Sequence, residues 1–359
     1  MIANHIPRKV GPEVQRRIDA LRIGQKMQDL PEELWHPSFR YYLKEDPNRK
    51  GGPNLRMIRL DPARPSLTVT GYIFNKFVHP TEDRFVTPRE AARLQGFPDD
   101  WVFEGTLTSV QRQVGNAVPV PLAAALGREM LDFGGRHGAV ASPKPEVLSL
   151  FSGAGGLDVG FESASWTIRE AVEFDADSCA TLRRNAAPCL EVREGDIRDF
   201  DPGGLSFRPD AIIGGPPCQA FSQAGRQKGT GDDRGRMIHE FIRCVESLRP
   251  ACFLFENVSN LRAIEGGRLL GDILDRLAGL GYSVESSVLN AADYGTPQLR
   301  RRLFVVGFRR DAVGRAKFSF PMPTHSGEPS FCNEPYRTVG DAFAGLPAAE
   351  TRESASAAA

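Results

Sequence analysis

Cysteine is scarce. The 359 residues hold six, and Cys179, Cys189, Cys218, Cys244, Cys252 and Cys332 form no C-x-x-C pair and no paired His/Cys ligand spacing. That argues against a structural zinc site and against a disulfide framework. Net charge is missing too, with 45 basic residues against 45 acidic ones, so no global field announces a polyanionic partner. No apolar run is long enough to span a membrane, and the first residues lack the apolar core of a secretion signal. From these absences we expect a protein of the reducing cytoplasm, with neither membrane nor metal among its partners.

The charge that is present is unevenly placed. Residues 1–80 carry 14 Lys/Arg and 8 Asp/Glu. Such an excess is usually a solvated surface, and alone it supports phosphate contacts only weakly. This region is rich in Pro, Arg and Lys, with a helix expected over residues 11–21 and β-prone pieces such as 66–77. Residues 87–95 read as helix, with Thr87 as N-cap, Pro88 at the first helical position and Glu90 in the first turn. Residues 118–131 open on a Pro-x-Pro turn and become a second helix. Residues 132–146, rich in Gly, Ala and Pro, read as a surface connection.

From residue 147 onward, strand-like and helix-like stretches alternate. Strands are expected at 147–151, 167–174, 190–192, 210–213 and 251–255. Helices are expected at 177–185, 237–248 and 269–280. Residues 282–290 and 303–308 read as a closing pair of strands. The alternation predicts an α/β fold: a doubly wound, mostly parallel sheet with helices on both faces.

Chemistry gathers where these strands end. Gly214-Gly215-Pro216-Pro217-Cys218-Gln219 follows the apolar run Ala211-Ile212-Ile213. Two prolines fix φ and remove two donors, and two glycines admit a ligand close to the backbone. A thiol held on a rigid turn at a strand's carboxyl end is a candidate nucleophile, because open α/β sheets bind substrates at that edge. The bland alternative is a strand-ending loop with an incidental cysteine.

Phe151-Ser152-Gly153-Ala154-Gly155-Gly156-Leu157 lies between a strand and a helix, where backbone N–H groups favour an anionic ligand. It misses the dinucleotide G-x-G-x-x-G pattern, since Asp158 stands where the third glycine should be. Two later strand ends add acids: Glu173 for ribose hydroxyls and Asp196 for an adenine amino group. Glu256 is expected to end the strand beside that of Cys218. Gln298-Leu299-Arg300-Arg301-Arg302 leads into a strand, so Arg300 and Arg302 should share one face. Arginines there would lower the thiol's pKa and bind an anion or carbonyl.

In combination these motifs resemble those of the DNA (cytosine-5)-methyltransferases, over nearly the whole chain. Phe151 to Leu157 resembles the family's S-adenosyl-L-methionine loop. Pro216-Pro217-Cys218-Gln219, with Phe221-Ser222 after it, resembles the catalytic-cysteine motif, and Glu256-Asn257-Val258 that of the catalytic glutamate. Gln298 to Arg302 resembles the Gln-x-Arg-x-Arg motif. Residues 89–98, with Glu90, Arg93, Gln95, Gly96 and Phe97, resemble the motif that supports target recognition. Gly115-Asn116-Ala117-Val118 resembles the final motif, which returns to the cofactor.

The resemblance implies a Rossmann-like methyltransferase sheet with a second, smaller DNA-recognition domain. It adds Ile197, Pro217, Asn116 and Val118 to the cofactor wall. It assigns catalysis to Cys218, Glu256, Arg300 and Arg302. Arg302 is expected to bind the cytosine O2, and Arg300 to hold the loop or phosphate near Cys218. Residues 223–236 would form a loop that closes over a flipped base. DNA contacts are expected from Ser222, Arg226 and Arg234, and from Arg40, Lys44, Arg49, Lys50 and Arg56, with Arg59 and Lys76 as further candidates. The partner would be double-stranded DNA, bound by a monomer at the nucleoid.

Motif order departs from the family's usual one. The last two motifs come first, at residues 84–130, and the cofactor loop only at 151, which reads as a circular permutation. Residues 1–105, completed by 311–350, are then expected to form the small target-recognition domain. Residues 106–310 form the catalytic and cofactor-binding domain, and 351–359 a frayed tail. The two ends should lie near each other, and the helix after Asn116 should pack beside the strand at 147–151. Three other readings stay open: the same chemistry on RNA, a catalytically silent DNA-binding regulator, and a Rossmann oxidoreductase, which Asp158 disfavours.

Overall fold

A computed structural model gives the fold and describes residues 2–45, 57–71, 76–217, 236–328 and 331–349. Cys218, Ser222, Arg226, Arg234, Arg49, Lys50 and Arg56 lie outside the described residues, as do most of the expected closing loop and the expected tail. The first part of the chain carries α1 (Pro12–Ala20), α2 (Pro37–Lys44) and three two-residue strands, β1 (Ile58–Arg59), β2 (Ser66–Leu67) and β3 (Phe77–Val78). Three helices follow, α3 (Pro88–Leu94), α4 (Leu107–Asn116) and α5 (Val120–Arg136). Thr87 caps α3 as expected: its hydroxyl accepts from Glu90 N, and the Glu90 carboxylate accepts from Thr87 N at 2.7 Å. The stretch 132–146 is shorter as a connection than its composition suggests. Phe133 and Gly134 are buried in the last turns of α5, and this burial keeps the helix going to Arg136.

The second part builds the sheet. Its elements run β4 (Glu146–Leu150), α6 (Gly156–Ser163), β5 (Thr167–Glu173), α7 (Ala176–Asn185), β6 (Glu191–Glu194), β7 (Ala211–Gly214), α8 (Arg236–Leu248) and β8 (Cys252–Val258). They continue with α9 (Arg268–Gly279), β9 (Tyr282–Asn290), β10 (Gln298–Leu299) and β11 (Arg301–Arg309). Strand order is β6-β5-β4-β7-β8-β11-β9, with β11 antiparallel to both neighbours and the other pairings parallel.

Period-two alternation feeds two cores. Val147, Ile213, Leu254 and Val306 face α5 and α6, while Leu148, Ile212, Phe253 and Val305 face α8 and α9. Burial on both faces explains why the central strands read as continuous apolar runs. Strand order reverses between β4 and β7, which opens a crevice beyond their carboxyl ends.

A third core joins the two parts of the chain. It gathers Val69, Phe77, Leu94, Phe97, Val114 and Ala154, together with Val339 from α11 (Val339–Phe343), which follows the short α10 (Arg310–Val313). Residues near the two ends meet here. His5 Nε2 donates to the Pro347 carbonyl at 2.9 Å, and Val339 N donates to the Arg64 carbonyl at 2.9 Å. Packing of α5 against α6 and Val147 matches the expected place of the helix after Asn116.

Polar side chains stitch this joint. Gln298 is fully buried: its amide nitrogen donates to Leu94 O and Gln95 Oε1, and its oxygen accepts from Val69 N. Arg300, 1 % exposed, donates to Val69 O at 2.7 Å and Gly115 O at 3.0 Å. Arg300 and Arg302 share one side, as expected: Leu299 and Arg301 are exposed, while Arg300 is buried, Arg302 is partly buried and both act on Glu256. Arg300 lies in the short break between β10 and β11. Its hydrogen bonds go to backbone carbonyls at the joint. Arg59 is withdrawn from the DNA candidates. Buried in the N-terminal core, it directs its donors at Ile18 O, Leu21 O, His79 O, Glu82 O and Asp83.

Two substitutions test this joint. In Gly115→Ala the new Cβ would stand 2.3 Å from Gly71 N and 2.4 Å from the Thr70 carbonyl carbon, too close for backbone atoms to yield. It should cost about 1–3 kcal/mol in urea unfolding, as overpacking does. Arg300→Met keeps the volume but orphans two buried carbonyls, and the same measurement should show a loss of roughly 2–4 kcal/mol.

Candidate active site

At the carboxyl edge of β4 the chain turns on Phe151, which holds a left-handed φ of 56°. Gly155 caps α6 at φ 82°. A Cβ on Gly156 would stand 2.4 Å from Val118 O, so the start of α6 lies directly against the segment between α4 and α5. Thus Asn116, Ala117 and Val118 line the same cleft as Phe151, Ser152 and Gly153, as expected. The cleft measures about 840 Å³, and Leu157, Glu173, Asp196, Ile197 and Pro217 also line it. Ala154 instead points into the joint core, and Gly155 packs against Trp101 and Leu182.

Glu173 is held hard. Its carboxylate accepts from the backbone N–H of Gly153 at 2.8 Å, Phe174 at 2.9 Å and Asp175 at 2.8 Å. A carboxylate has about four acceptor sites, so one remains for a ligand hydroxyl. Asp196 caps a short 3₁₀ turn and binds the Arg198 guanidinium, and these bonds to Arg198 pull its carboxyl down to about 2. It is an anionic acceptor at any physiological pH. Sequence reading missed Phe174, whose ring is 72 % exposed and lines the cleft beside Glu173. An aromatic directly after the strand-ending acid was the available signal.

The second half of the site lies one strand pair away. β7 and β8 run side by side, with Gly214 opposite Phe255. Asn257 Nδ2 donates to Pro216 O at 3.0 Å and ties the Pro-Pro turn to β8. Asn257 was quoted only as part of a motif; its pinning role was not foreseen. Glu256 does not end its strand: β8 continues to Val258, because Arg302 of β11 pairs with that residue. The Glu256 carboxyl still reaches the crevice, since it lines the cleft and one oxygen would be 3.0 Å from a Cβ on Gly215. Its other oxygen lies 3.2 Å from Arg302 Nε. Burial pushes the Glu256 carboxyl up, against the opposing pull of Arg302 and then Arg300. Burial also pushes Arg300 down to about 9, so it stays cationic at neutral pH.

The structure therefore brings together most of the cofactor-loop candidates, Glu173, Asp196, Pro217 and Glu256 around one cleft, with Arg302 on the Glu256 carboxyl. It sets Arg300 behind them. Arg40 and Lys44 lie apart on the exposed side of α2, both paired with Glu32. Lys76 stands over the Phe77 ring. No cluster of His, Cys, Asp or Glu fit to hold a metal occurs among the described residues, and none of their helices is long and apolar enough to cross a membrane.

Comparison with known proteins follows these features. The family profile of the C-5 cytosine-specific DNA methylases matches residues 8–132 and 146–349. Type II methyltransferase M.AquIA of Picosynechococcus is 40 % identical over 227 residues, which cover 57 % of this chain and 90 % of that protein. Type II methyltransferase M.NgoPII of Neisseria gonorrhoeae is 43 % identical over 176 residues, 49 % of this chain and 51 % of that protein. The chain thus spans about half the length of M.NgoPII. Among solved structures, a Spodoptera frugiperda DNMT2 variant aligns with a TM-score of 0.42 at 21 % identity, over 54 % of this chain and 57 % of that one. With its profile matched over both parts of the chain, the protein belongs to the C-5 cytosine-specific DNA methylase family.

Proposed function

We propose that the chain is a site-specific DNA (cytosine-5)-methyltransferase, the modification enzyme of a Type II restriction–modification system. It moves a methyl group from S-adenosyl-L-methionine to C5 of a cytosine swung out of duplex DNA. The observation that carries this reading is the corner where β7 and β8 deliver Pro217 and Glu256 to the mouth of a nucleoside-sized cleft, with Arg302 on the carboxyl. The cleft suits the donor: an exposed aromatic face at Phe174, a residual acceptor site on Glu173 and an anionic acceptor at Asp196. When bound, S-adenosyl-L-methionine supplies an electrophilic methyl group on a cationic sulfur.

The protein's own groups activate the base, and loss of the C5 proton with elimination of the thiolate from C6 completes the turnover. Cytosine C5 is a poor nucleophile until a thiolate adds at C6. Cys218, one residue past Pro217, is the group we assign to that addition. The attack pushes electron density toward N3. Glu256, its pKa raised by burial, keeps a proton to higher pH than a free carboxyl and can place it there. Arg302 orients Glu256 and is positioned to meet the cytosine O2. Arg300 acts one layer back, fixing the backbone from which Arg302 projects. The target atom is out of reach inside a duplex, so the base must leave the stack at a cost of roughly a few kcal/mol.

Residues 1–105 with 311–350 serve, on this reading, as the target-recognition part, and the family's motif order is circularly permuted. Support comes from the two separate stretches matched by the family profile and from the His5–Pro347 hydrogen bond. The enzyme works as a monomer in the cytoplasm, at the nucleoid.

Bisulfite sequencing of DNA from cells expressing the chain should reveal conversion-resistant cytosines at one shared motif. Cys218→Ser should abolish methyl transfer while leaving donor binding intact. Glu256→Gln should lower the rate by roughly 10²–10⁴-fold. The wild-type rate should fall on the alkaline side as Glu256, whose pKa burial raises, loses its proton. Glu256→Gln should lose the alkaline limb.

A further inference from the structure

Behind the cleft wall lies a buried acid that the reaction above does not use. Asp158 sits in the first turn of α6 and is 3 % exposed. Its Oδ1 accepts from Ser149 Oγ at 2.5 Å, and its Oδ2 is sealed from solvent with no hydrogen-bond partner among the described residues. Ser149, 1 % exposed on β4, is in turn contacted by Ser152. The Ser152 hydroxyl lies 2.8 Å from Ser149 Oγ and 3.2 Å from Ser149 O. Ser152 lines the cleft. The chain Asp158–Ser149–Ser152 spans the turn at Phe151 and ends at the cleft.

We propose that Asp158 is a positioning residue for the methyl donor, acting through Ser149 and Ser152 to favour the cationic donor over its neutral thioether product. The proposal rests on the reading of this cleft as the S-adenosyl-L-methionine site. With Asp158 ionised, Ser149 donates to it and Ser152 donates to Ser149, so the lone pairs of Ser152 face the cleft and a negative charge stands behind them. With Asp158 protonated the chain runs the other way. The acid then donates to Ser149, Ser149 donates to Ser152, and the charge is gone. The donor's sulfonium favours the first state, and the product's uncharged sulfur favours neither.

The surroundings leave the acid poised between the two. Burial is the main cause that lifts its carboxyl to about 7; the Ser149 bond opposes it, and the negative fields of Glu162 on α6 and Glu173 at the end of β5 add to it. Binding a cation pulls this value down, so donor uptake should release a proton on the acid side of neutrality. Donor affinity should therefore tighten as pH rises toward 7 and then level off.

The test is direct calorimetric binding to the full chain without DNA, from about pH 5.5 to about pH 8.5. Donor and S-adenosylhomocysteine are each titrated into wild type, Asp158→Asn and Ser149→Ala. For wild type the donor Kd should tighten about fivefold to tenfold across this range, the size of one buried charge acting at an effective dielectric of about 20. The product Kd should stay nearly flat. Buffers of different ionisation enthalpy should report proton release with the donor only. Asp158→Asn should bind the donor with no pH dependence. It should also unfold no more easily than wild type above neutral pH, because it removes a buried charge. Ser149→Ala, which deletes the one hydrogen bond that Asp158 accepts on its side chain among the described residues, should move the inflection to higher pH. A flat wild-type donor profile, or an Asp158→Asn profile with the wild-type slope, overturns the proposal. Wild type that binds no donor at any pH overturns the cofactor reading itself, and this proposal with it.

Discussion

The hydrogen bonds of Gln298 and Arg300 hold the two parts of the chain in one arrangement. Neither side chain reaches water, and between them they bind the backbone at Val69, Leu94 and Gly115 and the side chain of Gln95. Gln95 passes the connection on to Val114 O at 2.6 Å. Buried polar groups cost several kcal/mol when left unpaired, so such a network tolerates few alternative geometries. Apolar contacts at the joint would permit sliding by a fraction of a side chain. These bonds do not. The end of α4 is thereby fixed, and with it Asn116 and Val118 on the cleft wall. The same network fixes the point where β11 begins, one residue before Arg302 meets Glu256.

From that fixed joint the sheet does the rest of the positioning. β4 and β7 pair in register, so the turn at Phe151 and the turn at Gly215 leave the sheet at the same level. β8 carries Glu256 into the crevice from the next position. Three short turns on three adjacent strands, β5 included, supply the cofactor acceptor, the cofactor loop and the Pro-Pro turn. None needs a long loop to hold it, which is why the geometry is set by pairing register and not by surface contacts.

Much of this could be read from the sequence because the informative residues sit where local rules operate. The glycine loop, the Pro-Pro turn and the acids Glu173 and Asp196 each follow a strand-like stretch, and Ser152, Gly153, Pro217, Glu173 and Asp196 line the expected cleft. The capping box at Thr87 and Glu90 is a local pattern and was legible as such. What was misread depends on tertiary contacts. Counting alternate residues put Arg300 on the same side as Arg302, but it could not show that the Arg300 guanidinium donates to backbone carbonyls across the joint. Arg59 looked like one more surface cation, and only the folded N-terminal core shows five backbone and side-chain acceptors converging on it. Glu256 was expected at a strand end, whereas pairing with β11 carries the strand two residues further. The role of Asn257 depends on a turn 41 residues away in sequence, which no local pattern encodes.

The position of the joint also bears on the unusual motif order. The contacts that join the two parts of the chain behind the cleft are between elements, not along the chain. Nothing in the register of β4, β7 and β8, or in the bonds of Gln298 and Arg300, depends on which part was made first. A link from α5 to β4 is needed, and the nine residues between them suffice, because α5 already packs on the sheet face that contains Val147. Closing so short a loop costs little entropy. The described residues near the two ends meet through the His5–Pro347 hydrogen bond. On the permuted reading, the fold keeps its motif geometry because the rearrangement cuts and rejoins only connections, leaving each buried polar pairing with its partner.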